Sequence, residues 1–171
     1  MTSIQTVPPE AHQAPALTIA DIKRYICPLA TDQEAMMFLR LCTSQSLNPF
    51  LREVYLIKYN DKSPASTVVG KEAFTKRAEA HPEFDGFRAG VILTDEDGNI
   101  AKPESSFASN GMTLTGGWAE IYRKDRKYPF RVEVGFDEFN AKQGQWNKMP
   151  GTMIRKVALV SALREAFPTA F

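Results

Sequence analysis

Apolar positions recur at helical spacing in four stretches of this chain and gather into short β-branched and aromatic runs between them. Thr18-Ile19-Ala20-Asp21 has capping-box spacing and opens a short helix that Pro28 must end. Thr31-Asp32-Gln33-Glu34 repeats the device ahead of a helix from Ala35 to about Ser46, whose Met36 and Met37 read as core filler beside Leu39, Leu41 and Cys42. Pro49 pushes Asn48 out of the α region and stops that helix. Val54 to Tyr59 and Thr67 to Val69 read as strands around a turn at Asn60 to Pro64. Gly70-Lys71 leads into a helix halted at His81-Pro82, and Phe87 to Leu93 forms the next strand. Asp97-Gly98 supplies a turn, and Lys102 to Asn110 reads as a mobile loop. Gly116 to Tyr122 and Phe130 to Phe136 pair as a hairpin, linked through Gln143 to Lys148 to a last helix. The order is helices, strands, helix, strands, helix. That predicts an α+β fold, a small antiparallel sheet with hairpins packed by helices, rather than a βαβ repeat.

The last helix has clear punctuation, with Pro150 in its first turn and Pro168 just past its end. At about 100° per residue, Met153, Val157, Val160 and Phe167 fall in one arc, which is expected to face the core. Arg164 shares that arc. Arg155 falls nearly opposite, in a stripe of small residues, Ala158, Ala162 and Ala166, that would let a partner approach closely. Both arginines have a purely structural reading as well: Arg164 as a snorkelling or dipole-matched residue, Arg155 as a solvated one.

The totals bound the answer. A chain of 171 residues with 43% hydrophobic and 24% charged residues is long enough for one real core. Met1 to about Ala16, with Pro8, Pro9 and Pro15, reads as a disordered leader, leaving one domain over residues 17–171. There is no membrane-length apolar run and no signal peptide, and Cys27 and Cys42 read as buried thiols, so an intracellular protein is expected. The formal net charge of +1 hides an uneven distribution. Glu79, Glu83, Asp85, Asp95, Glu96, Asp97 and Glu104 outnumber Arg88 and Lys102 in one stretch, whereas Ile121 to Lys156 is rich in lysine and arginine. A basic region in a near-neutral chain can still bind a polyanion.

Catalytic and cofactor chemistry finds little to use. His12 and His81 are the only histidines, too few for a histidine–cysteine metal cluster or a Ser-His-Asp triad. Neither phosphate-binding glycine motif occurs, so no nucleotide cofactor is indicated. Asp95 to Gly98 lacks the alternating acids and closing glutamate of a calcium loop. Asp125-Arg126-Lys127 has the acid-x-lysine spacing of magnesium-dependent nucleases, with Glu120 or Glu133 as further ligands, but it falls in a predicted turn. The pattern argues for binding rather than bond-breaking.

Arg123-Lys124-Asp125-Arg126-Lys127-Tyr128-Pro129 puts four basic residues at a hairpin tip beside Tyr122 and Tyr128. Charged tips discourage edge-to-edge aggregation; they also suit a surface that tracks a nucleic-acid backbone while aromatics stack on bases. Lys71 opposes the dipole at the start of its helix, a mild pointer to an anionic ligand.

The same residues resemble the RecT/Redβ single-strand annealing proteins of phages and prophages. The likeness runs through Leu47-Asn48-Pro49-Phe50, Glu53-Val54-Tyr55, Val68-Val69-Gly70 and Phe84-Asp85-Gly86. It continues through Trp118-Ala119-Glu120-Ile121-Tyr122-Arg123-Lys124-Asp125, Met149-Pro150, Met153, Arg155-Lys156 and Ala162 to Pro168. Order and spacing across about Thr31 to Pro168 make it specific. The resemblance implies an ATP-independent, Bet-like protein of the bacterial cytoplasm that binds single-stranded DNA and pairs it with a complementary strand. It implies rings or helical filaments with DNA in a basic groove. It assigns Arg123, Lys124, Arg155, Lys156 and Arg164 to that groove, with Lys71, Arg126 and Lys148 beside them, and no metal, cofactor or catalytic residue. Family members continue beyond the closing Phe-Pro into a C-terminal segment linked to partners, a phage exonuclease and a host single-strand binding protein. Two alternatives remain at this level: a metal-dependent nuclease built on Asp125 and Lys127, and a single-strand binding module that coats DNA without annealing it.

Overall fold

The computed structural model describes residues 17–168; the expected leader lies outside the described residues. The α+β class holds, and the chain divides into two compact units.

The first unit takes the chain to Phe50 together with Val54–Val68. Both capping boxes form. The Thr18 hydroxyl accepts from the Asp21 N–H at 3.1 Å, and that of Thr31 from the Glu34 N–H at 3.2 Å. They start α1 (Ile19–Asp21), which runs on as a π-helical turn (Ile22–Ile26), and α2 (Asp32–Ser44). The buried side of α2 is Ala35, Phe38 and Cys42. Met36 and Met37 are therefore not core filler: they are 38% and 69% exposed, because the ring of Phe38 takes the interior position. Cys27 and Cys42 are buried free thiols, and burial pushes the Cys42 thiol up. Strands β1 (Val54–Ile57) and β2 (Ser66–Val69) pair with each other. Glu34 ties this unit together, accepting from Lys58 Nζ, the Ala65 N–H and the Thr31 N–H, each at 2.8 Å.

The second unit, Leu51–Glu53 with the chain from Val69 onward, carries the basic residues of interest. Helix α3 (Lys71–Glu79) precedes a four-stranded antiparallel sheet in the order β4-β3-β5-β6. Its strands are β3 (Phe84–Thr94), β4 (Ile100–Ala101), β5 (Thr113–Arg123) and β6 (Phe130–Gly135). Two one-turn helices, α4 (Phe136–Phe139) and α5 (Gln145–Lys148), lead to α6 (Pro150–Ala166). The long strands exceed the expected spans, and β4, α4 and α5 are too short to leave a periodic pattern.

Register places Phe87, Ile121 and Phe130 in one row, Ala89, Ala119 and Val132 in the next, and Val91, Gly117 and Val134 in a third. Ala89, Ala119 and Ile121 join Ala158, Leu159, Ala162, Leu163 and Ala166 of α6 in one buried cluster. The helix face expected to meet the core is thus corrected. The small stripe is the core face, and the body that approaches it closely is the protein's own sheet. A Cβ on Gly117 would stand 2.7 Å from the Ile154 carbonyl oxygen, which shows how near the backbones come. Met153 and Val157 are only half-buried, Val160 meets the cluster from its flank, and Phe167 is buried just past the helix end.

The other sheet face holds Trp118 between Arg88 and Arg131, whose guanidinium carbons lie 5.9 and 5.4 Å from its ring. The start of the loop expected to be mobile is tied down across this face. Lys102 reaches Glu133 at 2.8 Å, Glu104 accepts from Arg88 Nε at 2.7 Å, and Pro103 O accepts from the Val91 N–H at 3.3 Å. Gly90 is required beneath it, since a Cβ there would fall 1.9 Å from Pro103 O. No helix among the described residues is long and apolar enough to cross a membrane.

Candidate nucleic-acid interface

Antiparallel pairing of β5 with β6 projects the basic hairpin tip beyond the sheet, and four contacts fix its base. Arg123 donates from Nη1 to the carbonyl of Ala166 at the end of α6, and its guanidinium carbon lies 4.9 Å from the Phe167 ring centroid. The Lys124 N–H donates to Glu83 O at 2.9 Å, and its Nζ to Pro82 O at 3.1 Å. Hairpin, α6 terminus and the turn after α3 therefore form one corner.

Arg123 is largely committed within that corner. Its Nε and Nη2 grip the two oxygens of Asp125 at 2.8 and 2.7 Å, and its side chain is 14% exposed. The pairing raises the Arg123 pKa and holds the Asp125 carboxyl below the usual carboxylate range. Lys124, Arg126 and Lys127 are exposed around it. Arg126 sits 5.6 Å from the Phe130 ring centroid and Lys127 5.3 Å from that of Tyr128, and these residues ring a shallow recess of about 270 Å³.

On α6 the two neighbouring cations part company. Arg155 points along the core face, half-buried, and its Nε donates to the Ala89 carbonyl of β3 at 3.1 Å. Lys156, about 100° further round the helix and likewise half-buried, makes no ion pair with any described residue. It begins an i, i+4, i+8 row with Val160 and Arg164, spanning about 12 Å along the axis. Arg164, expected in the core arc, is exposed, its guanidinium carbon 5.5 Å from the Phe74 ring centroid of α3. Lys71 lies one turn before Phe74 on α3, its ammonium 3.9 Å from Glu72, too far for a strong pair. Lys148 is exposed just before α6 begins.

The candidates thus separate by what already holds them. Arg126, Lys148, Lys156 and Arg164 make no ion pair with any described residue; Arg123, Lys124 and Arg155 donate to backbone carbonyls, Lys124 without an ion pair. Lys127 was not carried among the site residues, although its place as the fourth basic residue of the hairpin marked it. The carboxylates of the nuclease alternative are all engaged. Asp125 lies in a turn and is gripped by Arg123, Glu120 by Tyr122 at 2.8 Å and by Arg131, and Glu133 by Lys102 and Arg131. The Tyr122 hydroxyl, ahead of Arg131, holds the Glu120 carboxyl low. Among the described residues no group of three or more His, Cys, Asp or Glu side chains could hold a metal ion.

A family model described as "RecT family" matches residues 12–171 of this chain. An uncharacterized protein of Ureaplasma parvum serovar 3 is 27% identical over 139 residues, covering 81% of this chain and 56% of that protein. The protein named "Recombination protein bet" of Escherichia phage lambda is 26% identical over 150 residues, covering 81% of this chain and 48% of that protein. The chain spans about half the length of these curated relatives.

Proposed function

This chain belongs to the RecT family, and on that premise we propose that it binds single-stranded DNA and anneals complementary strands in phage-type homologous recombination. The observation that carries the reading is the set of cations with no ion pair to a described residue along α6 and the hairpin: Lys156 and Arg164 in one row, Lys148 before it, Lys124 and Arg126 at its far end. Annealing requires phosphates held and bases left free to pair. Lysines and arginines gripping the backbone do that without reading sequence, and their charge reduces the repulsion between two incoming strands.

In this reading the protein needs no ATP, breaks no bond, and acts as a ring or helical filament in the cytoplasm of a bacterial host. A phage exonuclease supplies the single strand and a host single-strand binding protein is its other partner. Arg123 and Arg155 serve the groove by holding the hairpin and α6 against the sheet.

The test is the rate at which two complementary labelled oligonucleotides pair, with and without the protein and with no nucleotide present. Acceleration that rises with protein concentration and fades with salt is expected. Bound strands that pair no faster would reduce the protein to a coating module, and strands left unbound would overturn the reading. Magnesium-dependent shortening of the oligonucleotides, lost in Asp125→Ala, would instead establish the nuclease.

A further inference from the structure

At the start of α6 the chain leaves a recess of about 450 Å³, within the size range of small-molecule sites, that the basic row does not account for. Its apolar lining comes from Phe107, Leu114 and Met149, its polar lining from Lys148 and Thr152. Phe107 is 67% exposed and Met149 44%, an unusual amount of large apolar surface for one small area.

Phe107 is nevertheless held in place. Its carbonyl accepts from Ser105 Oγ at 3.1 Å, and Met112 N–H closes the loop onto Ser109 O at 3.1 Å. A Cβ on Gly151 would lie 2.4 Å from Ser106 O, so this loop is seated directly on the first turn of α6. The loop backbone at Ser106 and Phe107 and the first turn of α6 therefore form one surface, with Phe107 in the lining of the recess.

We propose that this recess receives one unpaired base of the bound strand, stacked on Phe107, while Lys148 and Lys156 hold the flanking phosphates. The proposal rests on the single-strand reading above and adds a base contact to it. Charge and continuity select this occupant. Lys148 is the one charged residue of the lining, and Thr152 stands one turn before Lys156 on the same side of α6, so the recess continues the row Lys156 to Arg164. An apolar floor with a cationic rim matches a nucleobase joined to phosphate, whose stacking on an aromatic ring is indifferent to sequence.

The experiment uses thymidine oligonucleotides carrying a single 2-aminopurine at successive positions, with binding followed by anisotropy and stacking by 2-aminopurine fluorescence. Wild-type protein is expected to quench the probe at particular positions. Phe107→Ala should abolish that quenching and weaken binding about 5-fold or more, the lower end of a base–aromatic stack. Phe107→Trp should keep the affinity and gain quenching of its own emission by the strand. Since Phe107 is exposed, both variants should retain the wild-type circular dichroism. Unchanged affinity and unchanged quenching in Phe107→Ala would overturn the proposal and leave the single-strand reading intact. A Phe107→Ala change in sedimentation with DNA binding unaltered would overturn it too, giving the recess to a second copy of the chain. Failure of the wild-type protein to bind any oligonucleotide would sink the underlying reading itself.

Discussion

Arg155 donates from Nε to the carbonyl of Ala89 at 3.1 Å, whereas Lys156, the next residue and about 100° further round the helix, makes no ion pair with any described residue. Two adjacent cations thus do different work. Arg155→Ala should lower stability by roughly 1–3 kcal/mol through loss of a charge-assisted hydrogen bond to a buried carbonyl. Lys156→Ala should leave stability within about 0.5 kcal/mol and weaken DNA binding. Urea unfolding run alongside anisotropy titrations separates the two, and equal effects of both substitutions on both readouts would refute the division.

The cations without an ion pair predict a salt signature. Replacing Lys124, Lys148 and Lys156 together by alanine should reduce the slope of log affinity against log salt by about 0.7 for each lost phosphate contact on a single strand, near 2 in all. Titrations at several salt concentrations measure it. The same slope in the triple variant would place the strand elsewhere.

Arg123 should behave as a brace. Its hydrogen bond to the Ala166 carbonyl and its place over Phe167 join the hairpin to the end of α6. Arg123→Lys keeps the charge and loses the planar fork, so it should destabilise nearly as much as Arg123→Ala. Thermal melts of the two variants decide this; full rescue by lysine would mean that charge alone matters there.

Glu34 predicts an acid limit for the first unit. The Lys58 ammonium, followed by the Thr31 and Ala65 N–H groups, lowers its pKa from the usual 4.5 to about 2. A carboxyl depressed on folding stabilises fully above its unfolded pKa, and that contribution fades as pH falls from about 4.5 towards 2. The melting temperature should therefore drop across this window, and Glu34→Gln should flatten the dependence while lowering stability at neutral pH. An unchanged pH profile in the variant would exclude Glu34 as its source.

Much of the chain was legible because its boundaries rest on local chemistry. Thr18 and Thr31 announced their capping boxes, Pro49 and Pro82 their stops, and Pro150 the start of α6. The orientation of α6 was read backwards for an equally physical reason. Periodicity weighs large apolar side chains most, so Met153 and Val157 outvoted Ala158, Ala162 and Ala166. A helix seated on a glycine of a sheet must present its smallest residues, and Gly117 lies far from α6 in sequence. Met36 and Met37 misled in the same way, since size and polarity pointed inward while Phe38 held the interior site. The recess beside Phe107 had no local trace at all, because it forms only when the loop after β4 meets the first turn of α6.

The two glycine seats fix the rotational phase of α6. Gly117 holds the backbone at Ile154, and Gly151 holds the first turn against Ser106. One residue inserted between Gly151 and Lys156 would turn everything beyond it by about 100°, swinging the lysine off its side and carrying the alanine stripe away from the sheet. Exchange of residues on the outward side leaves that phase untouched. The length of the segment from Gly151 to Lys156 is thus as much a determinant of the proposed DNA-facing surface as the lysine itself, and length variation in this protein should be confined to the loops.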